Sequence, residues 1–204
     1  MTRFVEDTYS KIAQAYTDEF FDDTFDVPFI DCLMNAVKPG GKILDIGSGP
    51  GQFSAYIKKH GFVVQGVDTS EAMIKIANAM VADVKFSNMD MRQLTFADAT
   101  FDGILAAYSI IHIPTKELPS VLLEMHRVLK QPGYALFIVQ EGQPDQIVDE
   151  PLARGEKIFM NFFTESRLNA LLAEAGFTVV SGGKVDQASE DALSSSVIWT
   201  LTKT

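Results

Sequence analysis

The chain has 204 residues, a formal net charge of −10 and one cysteine, Cys32. An acidic chain with 17 lysines and arginines lacks the basic face of a non-specific nucleic-acid binder, and a lone cysteine forms neither an intrachain disulfide nor a thiolate cluster for zinc. The composition, with 47% hydrophobic and 22% charged residues, is that of one globular domain. Because no apolar run is long enough to span a bilayer and the N-terminus lacks a signal-like apolar segment, we expect a soluble, cytoplasmic protein.

The first 37 residues are expected to form two helices laid over the rest of the domain. Apolar and aromatic side chains recur there at helical spacing, and a proline- and glycine-rich stretch at residues 38–41 ends the second helix. The side chains with this spacing in the first helix are Tyr9, Ile12, Ala13 and Tyr16.

From residue 42 the chain alternates apolar strands with amphipathic helices, a pattern typical of parallel strands joined by crossover helices. In the helix predicted at about 115–130, Pro119 is tolerated only if the regular helix begins at that position or if its first turn is distorted. The predicted strands are 42–46, 62–67, 84–87, 104–107 and 134–140, and the predicted helices are 51–60, 70–81 and about 115–130.

The last third departs from this rhythm. Residues 141–161 are predicted to be a long irregular connection, and a helix follows at about 164–175. Two β-rich runs, 177–181 and 195–202, have no helix between them, so they should pair antiparallel at the edge of a mostly parallel sheet.

The turn after the first predicted strand carries the strongest chemical signal. Asp45 lies in the strand, and glycines follow at 47, 49 and 51. A dinucleotide fingerprint requires glycine at the position of Gln52, and Pro50 removes an N–H group that a pyrophosphate would use. The turn therefore favours a ligand without phosphate and opposes a nicotinamide-dependent oxidoreductase.

Two further carboxylates follow the next strands. Asp68 ends the second strand about 20 residues after the glycine turn, the position from which a carboxylate accepts hydrogen bonds from ribose hydroxyls. A simpler role as a helix cap remains open for Asp68, and turn chemistry remains open for Asp90 after the third strand. Together they indicate a nucleoside-bearing ligand.

The pattern Asp45-x-Gly47-x-Gly49-x-Gly51 resembles motif I of the class I S-adenosylmethionine-dependent methyltransferases. Asp68 occupies the place of that family's ribose-binding acid, Asp90-Met91 resembles its adenine-flanking pair, and residues 109–112 are similar to its fourth motif. The resemblance implies a three-layer, doubly wound α/β sheet of seven strands in the order 3-2-1-4-5-7-6 with an antiparallel last strand. It also divides the single domain into an N-terminal helical lid (1–37), a cofactor-binding core (38–140) and a substrate loop, helix and strand pair (141–204).

The resemblance further implies S-adenosylmethionine as cofactor, S-adenosylhomocysteine as product and no metal. His112 is the candidate general base, with Tyr108 and Glu141 as alternatives, and an amine acceptor would need no base. The implied cofactor-binding residues are Tyr16, Asp45, Gly47, Ser48, Gly49, Asp68, Thr69, Met73, Asp90, Met91, Ala107 and Tyr108.

We therefore expect methyl transfer to a small-molecule acceptor by in-line displacement. The pocket walls are expected to be rich in phenylalanine and to come from residues 20–25, 108–112 and 141–163. The alternative is a binding module that holds the cofactor without transferring its methyl group. A nucleic-acid methyltransferase is disfavoured because the chain lacks a basic stripe and an Asn-Pro-Pro-Tyr motif, and no membrane partner is expected. The methyl acceptor and the oligomeric state stay open.

Overall fold

A computed structural model describes residues 2–186 and 196–204, so Ser195, where the last β-rich run was predicted to start, lies outside the described residues. Its main sheet has seven strands in the order β3-β2-β1-β4-β5-β9-β8. Strands β1 to β5 run parallel, and β9 pairs antiparallel with both β5 and β8. The strands are β1 Lys42–Ile46, β2 Val63–Asp68, β3 Lys85–Asn88, β4 Phe101–Ala107, β5 Leu129–Gln140, β8 Thr178–Val185 and β9 Val197–Lys203.

Six α-helices are described, and five of them cover the two faces of this sheet. Helices α2, α3 and α4 pack on one face, and α5 and α6 pack on the other. The helices are α1 Thr2–Phe20, α2 Val27–Ala36, α3 Gln52–Lys59, α4 Glu71–Met80, α5 Leu118–Val128 and α6 Glu165–Glu174. The predicted doubly wound fold is confirmed, since its sixth and seventh strands correspond to β8 and β9. No helix among the described residues is long and apolar enough to cross a membrane.

The central strands show why a sheet covered on both faces forms here. Successive residues of a strand point to opposite faces, and in β4 Ile104 packs with α5 and α6 while Leu105 packs with α2 and α3. In β1, Leu44 and Ile46 share the first of these faces, and Ile43 lies on the second. Asp45 therefore points to the face that carries α3.

Helix α5 is shorter than the sequence predicted. It begins at Leu118 with Pro119 in its first turn, where the missing N–H has no intrahelical partner to lose, and a short 3₁₀ turn at Thr115–Glu117 precedes it. The predicted end near residue 130 is wrong, because Leu129 already pairs with Phe101 in the sheet. Strand pairing overrides helical periodicity at this point.

The connection after β5 is also more regular than predicted. It contains an antiparallel hairpin of β6 (Gln146–Asp149) and β7 (Lys157–Met160). Helix α1 packs between this hairpin and α4: Ser10 Oγ lies 3.1 Å from Ser70 Oγ, and Lys11 forms a 2.9 Å ion pair with Glu156. The hairpin and α1 together form a cap over the carboxyl ends of the parallel strands.

Candidate active site

The glycine turn uses its own N–H groups internally. Gly47 and Ser48 donate to the Val67 carbonyl at 2.8 and 3.0 Å, Gly49 donates to Asp68 Oδ2 at 2.9 Å, and Gly51 donates to the Ser48 carbonyl. Because the remaining residue of the turn is a proline, no row of free N–H groups is left for a phosphate. The geometry agrees with the sequence argument that the ligand of this turn carries no phosphate there.

Gly47 is constrained by a close neighbour as well as by its backbone. Its φ is +72°, and a Cβ added to it would lie 2.4 Å from the Cβ of Ser109. Only glycine fits a left-handed position with so close an approach. This contact brings the turn after β1 directly against the loop after β4.

Asp68 links the turn to the start of α4. Its Oδ1 accepts from the Ser70 N–H at 2.8 Å, while its Oδ2 accepts from Gly49. Desolvation raises the pKa of the Asp68 carboxyl above its usual value, and the N–H groups of Ser70 and Gly49 oppose that shift. Each carboxylate oxygen keeps a second lone pair, so this brace can also accept hydrogen bonds from a ligand.

One cavity lies beneath the cap, at the carboxyl ends of β1, β2 and β4. All of the predicted site residues line it except Asp45 and Ser48. Its lining is formed by Val5, Tyr9, Tyr16, Ile46, Gly47, Gly49, Val67, Asp68, Thr69, Met73, Met89, Asp90, Met91, Arg92, Ala107, Tyr108, Ser109, His112 and Ile113.

Asp45 and Ser48 face the protein interior instead. Asp45 is 1% exposed and accepts a 2.7 Å hydrogen bond from Ser54 Oγ on α3, and desolvation raises the pKa of its carboxyl to about 7. Ser48 is buried with its Oγ 2.9 Å from the position of a Cβ on Gly66. These two predicted contacts with the cofactor are not brought to the cavity by the structure.

A charged cluster closes the side of the cavity that follows β3. Arg92 forms ion pairs with Asp90 at 3.2 Å and with Glu117 at 2.7 Å, and its own N–H also donates to Asp90. Arg92 was not among the predicted site residues, since a single arginine two positions after a candidate acid gives no distinct signal. It fixes the orientation of the Asp90 carboxylate.

On the opposite side, Tyr9 from α1 meets His112 from the loop after β4. Tyr9 Oη lies 2.8 Å from His112 Nε2, and His112 Nδ1 lies 3.0 Å from the Phe159 carbonyl oxygen of the hairpin. Desolvation lowers the pKa of His112 to about 4, so the imidazole is neutral at pH 7. One residue from each part of the cap thus contacts this histidine.

Tyr108 connects the cavity wall to α2. It has a left-handed backbone, with φ +50°, and its phenol donates a 2.8 Å hydrogen bond to Asp26 at the start of α2. Desolvation raises the pKa of the Asp26 carboxyl to about 6, although the Tyr108 hydrogen bond opposes the shift. A non-glycine residue in this conformation is uncommon and is often found at functional sites.

The geometry can now be set beside known proteins. A family model described as "Methyltransferase domain" matches residues 43–133. An uncharacterised methyltransferase of Synechocystis is 32% identical over 154 residues, which cover 71% of this chain and 70% of that protein. The chain belongs to the class I S-adenosylmethionine-dependent methyltransferases. Its cofactor is S-adenosylmethionine.

Other known proteins are similar to this methyltransferase in sequence or in fold. An O-methyltransferase of Pyrenophora dematioidea is 32% identical over 155 residues, which cover 70% of this chain and 56% of that protein. The fold matches a 1,6-didemethyltoxoflavin-N1-methyltransferase of Burkholderia thailandensis, solved with its acceptor and S-adenosylhomocysteine, with a TM-score of 0.81 and 20% identity over 100% of this chain and 88% of that one. At that identity the match shows a shared fold.

The residues of the cavity fit the cofactor of this family. A Cβ on Gly49 would meet nothing closer than 4.0 Å, so the turn is open toward the cavity, and the Asp68 carboxylate has lone pairs free beside it. Ser109, which is 4% exposed, lines the cavity with an Oγ that has no hydrogen-bond partner within the described residues. Because Ser109 lines the cavity, its hydroxyl is free to form a hydrogen bond with a ligand there.

One expectation about the pocket is wrong for the described cavity. Phenylalanine was expected in its walls, but none of the lining residues is a phenylalanine, and the aromatic side chains there are Tyr9, Tyr16, Tyr108 and His112. Phe20 packs on Tyr16 with ring centroids 4.8 Å apart, and Phe163 is fully buried in the core of the α5–α6 face. Glu141, an alternative base, forms an ion pair with Lys184 and is absent from the lining.

Proposed function

We propose that this methyltransferase transfers its methyl group to a small-molecule acceptor by in-line displacement. The observation that supports it is the capped cavity, in which residues from the glycine turn and from the cap line the same space. Helix α1 lies over this space and is bound to α4 and to the hairpin. A cavity covered in this way suits a small acceptor better than a macromolecular one.

When bound, S-adenosylmethionine supplies an electrophilic methyl group whose leaving group is a neutral thioether. The protein therefore has to align the acceptor and keep water out, and it needs no metal for that task. We assign Asp68 to the ribose hydroxyls and the turn at Gly47 and Gly49 to the methionine part. Met73 and Met91 are assigned to the faces of the adenine, and Asp90, held by Arg92, to its exocyclic amine.

Binding of the cofactor is tested first by calorimetry, with S-adenosylhomocysteine and NADH titrated separately into the protein. We expect S-adenosylhomocysteine to bind and NADH not to bind. Preferential binding of NADH would contradict the assignment of the glycine turn.

The acceptor class is tested by incubating the enzyme with cell extract and a methyl donor that carries an isotopically labelled methyl group. Mass spectrometry should find the label in a low-molecular-weight product. Label in protein or nucleic acid would contradict the small-molecule acceptor. Cofactor binding without a labelled product in any fraction would favour the alternative of a non-catalytic binding module.

A further inference from the structure

The hydrogen bonds of His112 fix its tautomer. A backbone carbonyl can only accept, so the 3.0 Å contact with the Phe159 oxygen requires the proton on Nδ1. The neutral imidazole then has its lone pair on Nε2, and that nitrogen accepts the hydrogen bond from the Tyr9 hydroxyl at 2.8 Å. The lone pair that a general base would use is therefore occupied by Tyr9.

This arrangement changes which atom can face an acceptor. Tyr9 lines the cavity and donates its proton to His112, so its phenol oxygen keeps lone pairs for an N–H or O–H group in the cavity. Desolvation, and then the nearby Tyr16, Glu150 and Asp68, raise the pKa of Tyr9 well above its usual value. A phenolate is disfavoured here, so Tyr9 can accept a proton only as it passes its own proton on.

The acceptor side of the cavity carries no charged side chain among the described lining residues. The three charged ones, Asp68, Asp90 and Arg92, follow β2 and β3 on the other side. Tyr16 also lines the cavity, with its ring centroid 5.8 Å from that of Tyr9, and the lining residues Tyr108, Ser109 and Ile113 come from the same loop as His112. An anionic acceptor would meet no cation there, and it would lie near the Asp68 and Glu150 carboxylates, which are close enough to Tyr9 to raise its pKa.

We propose that the acceptor carries no negative charge and has a reactive O–H or N–H group, and that its proton passes to Tyr9 Oη while the Tyr9 proton passes to His112 Nε2. This inference rests on the proposed function. Tyr9 is the catalytic residue that contacts the acceptor, and His112 is a positioning residue that acts through Tyr9. The unpartnered Ser109 Oγ offers a further hydrogen bond inside the same cavity.

The step conserves atoms and charge. The acceptor's O–H or N–H bond breaks and the electron pair that it leaves forms the new bond to the methyl carbon, while the carbon–sulfur bond of the methyl donor would break with its electron pair going to sulfur. The acceptor's proton binds to Tyr9 Oη as the Tyr9 proton leaves for His112 Nε2. His112 becomes an imidazolium that still donates through Nδ1 to Phe159 and now donates through Nε2 to Tyr9. The positive charge of the site is kept, because the sulfonium charge disappears as the imidazolium forms.

The proton arrangement is tested without any acceptor. Imidazole ¹⁵N NMR of the S-adenosylhomocysteine complex should show His112 protonated on Nδ1 only, with its signals identified by their loss in His112→Gln. Tyr9→Phe keeps the ring but removes the donor, so the Nε2 signal of His112 should shift. The matched control Tyr56→Phe removes a hydroxyl that bonds to Asp31 at 2.9 Å, away from the cavity, and should leave the signal unchanged. Protonation on Nε2, or no shift in Tyr9→Phe, would overturn the relay.

Catalysis is tested with simple phenols, alcohols and N–H heteroarenes, each beside a carboxylated analogue. The uncharged members should be methylated in preference to their carboxylated analogues. Tyr9→Phe and His112→Gln should each lower kcat by about 10²-fold or more, and the double variant should lose no more than either single variant. The control His60→Gln, at the exposed end of α3, should keep full kcat.

Failure of this proposal can be told apart from failure of the proposed function. Preferential methylation of carboxylated acceptors, or turnover of none of the uncharged ones, would overturn the acceptor class even where the extract yields a labelled product. Additive losses in the double variant would overturn the coupling of Tyr9 to His112. Absence of S-adenosylhomocysteine binding would instead refute the proposed function itself.

Discussion

Asp68 makes two different contributions that a single substitution can separate. Its oxygens accept from two N–H groups, Gly49 at 2.9 Å and Ser70 at 2.8 Å. In Asp68→Asn the side chain has one acceptor oxygen, so one of these N–H groups would face an NH₂ group. Leaving a donor of this kind unsatisfied costs about 1 to 3 kcal/mol, and we expect the free energy of unfolding in urea to fall by that amount.

The same substitution should weaken binding of the cofactor. The charged acceptor proposed for the ribose hydroxyls becomes a neutral amide, and a hydrogen bond to a charged group contributes about 1.5 to 3 kcal/mol. The dissociation constant of S-adenosylhomocysteine, measured by calorimetry, should therefore rise by about 10-fold to 100-fold. The matched control Asp31→Asn alters only a carboxylate that accepts from Tyr56 and should leave the dissociation constant unchanged.

Two results would refute this reasoning in different ways. A normal affinity for S-adenosylhomocysteine in a destabilised variant would mean that Asp68 braces the turn and does not contact the cofactor. An unchanged free energy of unfolding would mean that the two N–H groups do not depend on the carboxylate.

Three further predictions concern stability. In Gly47→Ala the new Cβ meets Ser109, and we expect the free energy of unfolding in urea to fall by about 2 kcal/mol. The control Gly61→Ala also has a positive φ but has nothing within 4 Å of the new Cβ, so its loss should be about 1 kcal/mol. Partial burial would raise the pKa of Asp102, but the Lys42 N–H and the Lys130 and Lys38 ammonium groups outweigh it and lower this pKa to about 2. Because this value lies below the pKa of the unfolded chain, the ionised Asp102 stabilises the fold above about pH 4. This stabilisation is lost as the pH falls toward 2. Asp102→Asn should therefore lower the free energy of unfolding at pH 7 by about 1 to 2 kcal/mol and flatten its decline between pH 4 and 2; equal slopes would contradict this. For Asp45 the pH dependence is reversed, because desolvation raises the pKa of its carboxyl to about 7 and stability is lost as the pH rises from about 4 through 7. The free energy of unfolding of Asp45→Asn should therefore exceed that of the unsubstituted protein by as much as about 4 kcal/mol at pH 8, with no gain at pH 4.

The parts of the fold that follow from local pattern were predicted well. Buried strands appear in the sequence as apolar runs alternating with helices, so a mostly parallel sheet with an antiparallel edge could be predicted from the pattern. The strand order came from the resemblance to the methyltransferase family. The end of α5 was missed because Leu129 has both helical periodicity and a strand partner, Phe101, and only the folded chain decides between them. The hairpin of β6 and β7 was missed because three of the four residues of β6 are exposed and the strand carries no strong alternation of apolar and polar residues.

The candidate site was predicted unevenly for a related physical reason. Gly49 donates to Asp68 and Gly47 donates to the neighbouring Val67 carbonyl, so the spacing between the glycine turn and the acid reflects direct hydrogen bonds. Asp45 is in the same motif, but its strand position turns its side chain toward Ser54 and away from the cavity. A motif locates the backbone of a site, whereas the direction of each side chain depends on the alternation along the strand.

The cap depends on contacts that no local pattern reports. Tyr9 and His112 are 103 positions apart, His112 and Phe159 are 47 apart, and Thr8 Oγ1 donates across 149 positions to the Lys157 carbonyl. These contacts join α1 and the hairpin to the loop after β4 without any hydrogen bond to the glycine turn. On the role proposed for Tyr9, substitutions at the contacts of the cap with His112 should therefore change which acceptor is methylated, while the bonds that hold Asp68 and the turn stay in place.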